Sequence, residues 1–330
     1  MASKNNISII IPTYTGAATL EKVLDSIRRQ DESKSVEVVV VVDGPNKQIE
    51  NILKIYSKEY ANEFQGFTVK RLSKNKGRFT ARFEGAKLAK GSSLLFIDDR
   101  TELDENYLKI VQKLFGEEKT IISNIVEKDQ VNFVSKTLYV LRKKIYKNLG
   151  NIFKAYSITE ENFDQSPKGT AGFGVKKKLF VDASEVLMSE GGIGQTSNDD
   201  TRLLREIVRH NPLYRSSEPV LFYIPRSSWS EELVHIYKRG PMFIDYYLKK
   251  GSPYFSHIIA LYFLTFFTVF GLIFFTRLSM IIGLIAASIA LISCIIIAKG
   301  RLSIILGLLL IPIFFVVGVY KGTLQKILTS

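Results

Sequence analysis

The chain has 330 residues, enough for one or two domains with a substantial core. Its formal net charge is +13, from 45 lysines and arginines against 32 acids, which favours anionic partners such as lipid headgroups or nucleotide diphosphates. A single cysteine, Cys294, excludes an internal disulfide framework and a cysteine-built metal site, and three histidines leave little for a His-ligated zinc.

The first six residues are polar, and the apolar stretch after them is short for a signal peptide, so the N-terminal domain is expected in the cytoplasm. Ile7–Ile11 is a β-branched run that predicts a strand ending at Pro12. Leu20, Val23, Leu24 and Ile27 then recur at helical spacing. Val36–Val42 is a continuous valine-rich run, the pattern of a parallel strand buried on both faces. Ile49, Ile52, Leu53, Tyr56 and Tyr60 predict a second helix, Thr68–Leu72 a third strand, Phe79, Phe83 and Ala86 a third helix, and Leu94–Ile97 a fourth strand. Strands alternating with helices predict an α/β domain with a mostly parallel sheet and ligands beyond the strands' carboxyl ends.

The turns after those strands narrow the chemistry. Pro12-Thr13-Tyr14-Thr15-Gly16 is neither a dinucleotide fingerprint nor a P-loop. The strand ends instead offer Tyr14, Asp43-Gly44 and Asp98-Asp99, acids suited to a base and ribose or to a divalent cation on a diphosphate. Lys76 and Arg78, ahead of the third helix, are placed to face phosphates. Plainer readings stand beside these: Asp43-Gly44-Pro45 is also good turn chemistry, and Asp98-Asp99 can cap the next turn.

Residues 131–155 interleave lysines with Phe133, Leu138, Tyr139, Leu141, Ile145, Tyr146, Leu149 and Phe153. They predict either a helix packed on the domain or an amphipathic helix on an anionic leaflet. No nucleic-acid module is present, so nucleic acid is not an expected partner. Asn198-Asp199-Asp200 precedes a helix striped by Leu203, Leu204, Ile207 and Val208. Acids there serve as caps or as a functional pair, and the preceding Gly191-Gly192-Ile193-Gly194 favours mobility near a site.

After Gly251-Ser252-Pro253 come three apolar runs, His257–Phe275, Ser279–Ala298 and Ser303–Tyr320, each of a length that spans a hydrocarbon core. Residues 255–330 hold no acid and only Arg277, Lys299, Arg301, Lys321 and Lys326 as bases. Three transmembrane helices are expected, and Lys238, Arg239, Lys249 and Lys250 put the near side in the cytoplasm. Three crossings would leave Lys321 and Lys326 outside, which that rule weakly disfavours; the alternative is that one run is re-entrant or lies at the interface.

Taken together, these residues resemble the family-2 glycosyltransferases of the GT-A fold. Residues 7–14 are similar to that family's first strand and turn, Val40–Gly44 to its second, and Asn75-Lys76-Gly77 with Ala81-Arg82 and Gly85 to the segment before its fourth strand. Leu95–Asp99 sits where the family keeps a D-x-D element, Gly169–Leu179 resembles its acceptor-side loop, and Asn198–Leu203 its paired-acid element. The resemblance covers residues 7–240. It implies a Rossmann-like GT-A domain over residues 1–230, a juxtamembrane segment over 231–254 and an all-α transmembrane segment over 255–330.

The same resemblance implies inverting transfer from a nucleotide-sugar, expected to be a UDP-sugar, to a lipid-linked or growing glycan acceptor. The donor would meet Pro12, Thr13, Tyr14, Asp43, Lys76, Arg78, Asp98, Asp99 and Arg100. Asp98 and Asp99 would hold Mg²⁺ or Mn²⁺, Asp200 would be the catalytic base supported by Asp199, and Gly169, Thr170, Trp229, Lys238 and Arg239 would lie on the acceptor side. Arg100 departs from the D-x-D pattern, which weakens the metal expectation and offers a guanidinium for the diphosphate. The expected setting is a bacterial or archaeal inner membrane, with membrane lipids as partners. Polyprenyl-phosphate transfer, a non-catalytic membrane scaffold and nucleotidyl transfer are the alternatives.

Overall fold

A computed structural model describes residues 6–127, 131–146, 153–190, 198–274 and 276–329. The chain divides into two compact units. The first comprises Met1–Asp129, Arg142–Gln195 and Asp199–Pro225; the second comprises Gln130–Leu141, Thr196–Asn198 and Arg226–Ser330.

The first unit opens with β1 (Ile7–Thr13), α1 (Ala17–Arg28), β2 (Val36–Val42), α2 (Lys47–Ile55), β3 (Gly66–Arg71), α3 (Arg78–Leu88) and β4 (Ser93–Phe96). This is the predicted alternation. The four strands pair in parallel in the order β3-β2-β1-β4. Every residue of β1 and β2 is buried. Ile7, Ile9 and Ile11 enter one core cluster with Val36, Val38 and Val40, while Ile10, Val39 and Val41 enter another on the opposite face. Successive side chains point to opposite faces of a strand, so a continuous apolar run is what a two-sided core requires. The α1 stripe Leu20, Val23, Leu24 and Ile27 is buried as expected.

The sheet then becomes mixed. After β5 (Thr101–Leu103), α4 (Tyr107–Gly116) and β6 (Thr120–Glu127) come α5 (Phe133–Ile145), β7 (Tyr156–Ile158), β8 (Phe173–Lys176), α6 (Lys177–Ser189), α7 (Asp199–His210) and β9 (Leu213–Tyr223). Strand β8 enters antiparallel between β4 and β6, β9 runs parallel to β6, and β5 and β7 both pair antiparallel with β9. The helix expected over residues 131–155 is shorter: α5 ends at Ile145, and Phe153 stacks near Tyr156 at a ring separation of 6.2 Å.

The second unit holds the first part of α5 with α8 (Trp229–Tyr247), α9 (Phe255–Phe274), α10 (Thr276–Ala298) and α11 (Leu302–Thr329). Three helices thus occupy the three apolar runs. Ile281–Ala298 and Leu302–Leu328 are long and apolar enough to cross a bilayer, and α9 gives a shorter apolar stretch, Phe255–Gly271. Of the two longer windows, the α10 window is 6% buried and the α11 window 33%. The difference arises because α11 packs on α8 and α5 through Leu233, Ile236, Ile311 and Val134.

Candidate functional site

At the carboxyl end of β4 the chain leaves the sheet after Ile97, whose N–H still donates to the Ile10 carbonyl at 3.0 Å. The Asp98 carbonyl then accepts from the Thr101 amide at 3.1 Å and its hydroxyl at 2.8 Å, which fixes a tight turn. Asp99 turns back to the end of β1. Its Oδ2 accepts from the Thr13 hydroxyl at 2.7 Å, and its carbonyl accepts from the Thr19 hydroxyl. Gly16 makes room for this: a Cβ there would stand 1.9 Å from Asp99 Oδ2. Its φ is −83°, so space is what the position demands. Burial pushes the Asp99 carboxyl above its ordinary pKa, the Thr13 hydrogen bond opposes that, and neighbouring Asp98 adds to it.

Arg82, on α3, is the centre of the site. It is 1% exposed, and its guanidinium donates to Asp98 Oδ1 at 2.8 Å and to Asp200 Oδ1 at 2.7 Å. One buried cation, 118 residues before Asp200, thus joins the end of β4 to the first turn of α7. Desolvation works against its charge, but Asp200 and Asp98 outweigh it and hold the proton more tightly than usual. Burial alone would push the Asp200 carboxyl up. Arg82, then Arg78, then Thr170 reverse this and hold it below the ordinary carboxylate value. The Thr170 hydroxyl is buried without a hydrogen bond of normal geometry, so its influence on Asp200 is one of proximity. The Asp98 and Asp200 side chains each remain 28% exposed, which leaves both open to a ligand.

Asp43 ends β2 and is buried. Its two oxygens accept from the backbone amides of Lys76 at 2.7 Å and Gly77 at 2.9 Å. The carboxylate thus fixes the loop that starts α3, where Gly77 has φ +94°. Lys76 and Arg78 are exposed on that loop and helix start. Tyr14 is 43% exposed and lies over Gly44, whose φ is +107°. Arg78 and Arg100 are near enough to Asp99 to favour its ionised form.

The structure therefore brings Thr13, Asp98, Asp99, Thr170 and Asp200 together around Arg82. Gly169 faces open space beside Thr170. Trp229, Lys238 and Arg239 belong to the second unit, on α8, where Trp229 stacks with Phe133 at 5.8 Å. The Gly191–Gly194 loop lies outside the described residues. Sequence reading noted Arg82 only as part of a motif and missed its role. A signal was present: with Phe79, Gly85 and Ala86 it occupies the buried stripe of α3, so a charge stood where a helix needs an apolar residue. Among the described residues no group of three His, Cys, Asp or Glu side chains is arranged to hold a metal ion. Asp98 and Asp99 each have one oxygen engaged, and Arg100 fills the third D-x-D position. This donor set does not make an all-protein metal cage; the second oxygens of Asp98 and Asp99 suit a divalent cation that a donor diphosphate also ligates.

Residues 8–171 match the family described as glycosyl transferase family 2. The fold is similar to that of the mannosyltransferase PcManGT from Pyrobaculum calidifontis, solved in complex with GDP-Man and Mn²⁺; identity is 14%, coverage 97% of this chain and 88% of that one, and the TM-score 0.63. It also matches S. aureus TarS 1–349 in complex with UDP-GlcNAc, at 19% identity, 73% and 67% coverage and a TM-score of 0.49. The chain spans 40% of the longer S. aureus TarS structure that it also matches. No curated protein sequence matches it. Over residues 8–171 the chain is a member of glycosyl transferase family 2.

Proposed function

We propose that the protein is a membrane-anchored inverting glycosyltransferase that moves a sugar from a nucleoside-diphosphate donor to a hydroxyl of a lipid-linked or growing glycan acceptor. The observation that carries this reading is the Arg82 bridge, which keeps Asp200 ionised and partly exposed beside the strand ends that carry Asp98 and Asp99. In the reaction, the acceptor oxygen attacks the anomeric carbon while Asp200 takes its proton. The bond from that carbon to the diphosphate oxygen breaks, and the nucleoside diphosphate leaves with the electron pair. A carboxylate held below its ordinary pKa accepts a proton only as the hydroxyl acidifies in the transition state, which suits a concerted displacement. Arg78 and Arg100 supply positive charge for the departing diphosphate, and a divalent cation held by Asp98 and Asp99 would add to it when bound. Tyr14 offers an exposed ring to the base. Asp43 acts by holding the loop that presents Lys76 and Arg78.

The anchor is the α9–α11 region. Ile281–Ala298 has a mean hydropathy of 2.8, and its residues face outward almost throughout. A surface of that kind needs lipid around it. The basic residues before α9 support a cytoplasmic catalytic domain.

The decisive experiment replaces Asp200 with Asn. Transfer should fall by about 10²–10⁴-fold, the span expected for a lost general base, while affinity for the donor stays within a factor of a few. Retained turnover would remove Asp200 as base, and with it the hydroxyl acceptor.

A further inference from the structure

Helices α8 and α11 lie side by side, parallel and in step. Ile236 packs with Ile311, the Gly240 and Gly318 backbones touch, Gly322 meets Pro241, and Lys326 donates to the Leu248 carbonyl at 3.4 Å. A Cβ on Gly240 would fall 2.2 Å from the Gly318 carbonyl carbon, and one on Gly318 would fall 2.1 Å from the Tyr237 carbonyl oxygen. The contact runs for about 15 residues, or about 23 Å of helix. Further back, a Cβ on Gly307 would strike the Thr137 hydroxyl of α5. One face of α11 is thus covered along its length by α5 and α8.

That cover is polar on its far side. Helix α8 carries Glu231, Lys238, Arg239 and Asp245 there, and Lys249-Lys250 follow it. If α11 crossed a bilayer, α8 would cross with it and take those charges through the hydrocarbon, a strongly unfavourable arrangement. The opposite face of α11, half a turn away, exposes Leu306, Leu309, Ile313, Val317 and Leu324. A helix with one apolar face bare and a polar layer behind the other is built to lie in a membrane surface.

Helices α9 and α10 behave differently. They touch α11 near their outer ends, α9 through Ile258, Tyr262 and Thr265, and α10 through Cys294 and Ile297. Residues 281–293 of α10 are exposed on all sides.

We infer that only the α9–α10 pair inserts, as a hairpin, and that α11 lies in the plane of the near leaflet with its Leu306–Leu324 face on the acyl chains. This rests on the membrane anchoring proposed above and replaces three crossings by two. Lys249, Lys250, Lys299, Arg301, Lys321 and Lys326 then share the cytoplasmic side, where anionic headgroups meet them. Only Arg277 reaches the other side. The weak objection that the positive-inside rule raises to three crossings disappears.

Impermeant maleimide labelling of single cysteines in the full chain tests this, in a Cys294→Ala background and in right-side-out and inside-out membrane vesicles. Lys250→Cys and Gln325→Cys should label from the same side, and Thr276→Cys from the other. Labelling of Gln325→Cys from the Thr276→Cys side would overturn the in-plane helix and leave the anchor intact. If Thr276→Cys labels with Lys250→Cys and carbonate strips the protein from the vesicles, the membrane reading itself fails. Nitroxides at Leu306, Leu309, Ile313 and Val317 give a second readout. An in-plane helix puts all four at one depth, whereas a crossing helix would spread them over about 16 Å along the normal.

Discussion

Strand β2 and helix α10 are built from similar material and meet opposite surroundings. Val36–Val42 is buried at every residue, whereas Ile281–Ala298 is only 6% buried. Apolar side chains favour leaving water in both cases. In β2 the protein supplies the second phase, on two faces at once; around α10 the described residues do not, and in the proposed anchor lipid would. The comparison shows that hydropathy fixes what a segment avoids, and packing fixes what it finds. The site illustrates the converse: Arg82 is as buried as any valine because two carboxylates meet it there.

One pair of substitutions breaks the comparison most sharply. Val40→Lys buries an unpaired charge inside a core cluster and should prevent the first unit from folding, read as loss of a cooperative melt. Ile289→Lys, at a residue 60% exposed, should leave the melt of the detergent-solubilised protein in place. It should disfavour membrane insertion by about 2.5–3.5 kcal/mol, read as the membrane-bound fraction after synthesis.

Arg82→Met comes close behind. It leaves Asp98 and Asp200 facing each other without their cation, and unfolding free energy should fall by about 3–5 kcal/mol in a denaturant titration. Its pH dependence gives a finer check. The Asp200 carboxyl is depressed in the folded state, so its pairing contributes stability above the ordinary carboxylate pKa. That contribution is lost as pH falls through the depressed value. In Arg82→Met this acid-side loss should vanish.

Gly16→Ala should have a smaller effect. The new methyl displaces the Asp99 carboxylate from Thr13, with destabilisation of about 1–3 kcal/mol and weaker donor binding by calorimetry. The smallest effect concerns Lys168, whose ammonium stacks over Phe163 at 4.2 Å and whose pKa burial lowers to about 8. The unfolded chain then binds the extra proton between about pH 8 and the ordinary lysine value, so stability should rise with pH across that window. Lys168→Met should flatten the slope in thermal melts.

Much of the fold was legible in order along the chain. The β-branched runs, the helical stripes of α1, α3 and α7 and the apolar final quarter were each written in local periodicity, and the strand-end positions of Asp43, Asp98 and Asp99 followed. Less of the site was legible. Asp43 read as a ligand to a base, and that its oxygens also hold the Lys76–Gly77 backbone was not visible. Gly16 read as a turn residue, yet it is needed for the space Asp99 occupies. Each depends on a partner from another element, and local pattern carries no record of that partner.

The sequence by itself determined which segments avoid water, where the parallel strands begin and end, and that acids crowd the strand ends, because these follow from side-chain chemistry repeated at a fixed spacing. Tertiary structure alone decided that Arg82 joins Asp98 to Asp200, since sheet order brings α3, β4 and α7 to one edge. It also decided that α11 is covered by α8 while α10 is bare. Lipid and protein interior are equally apolar, so hydropathy cannot tell them apart; the close approach of Gly240 and Gly318 can.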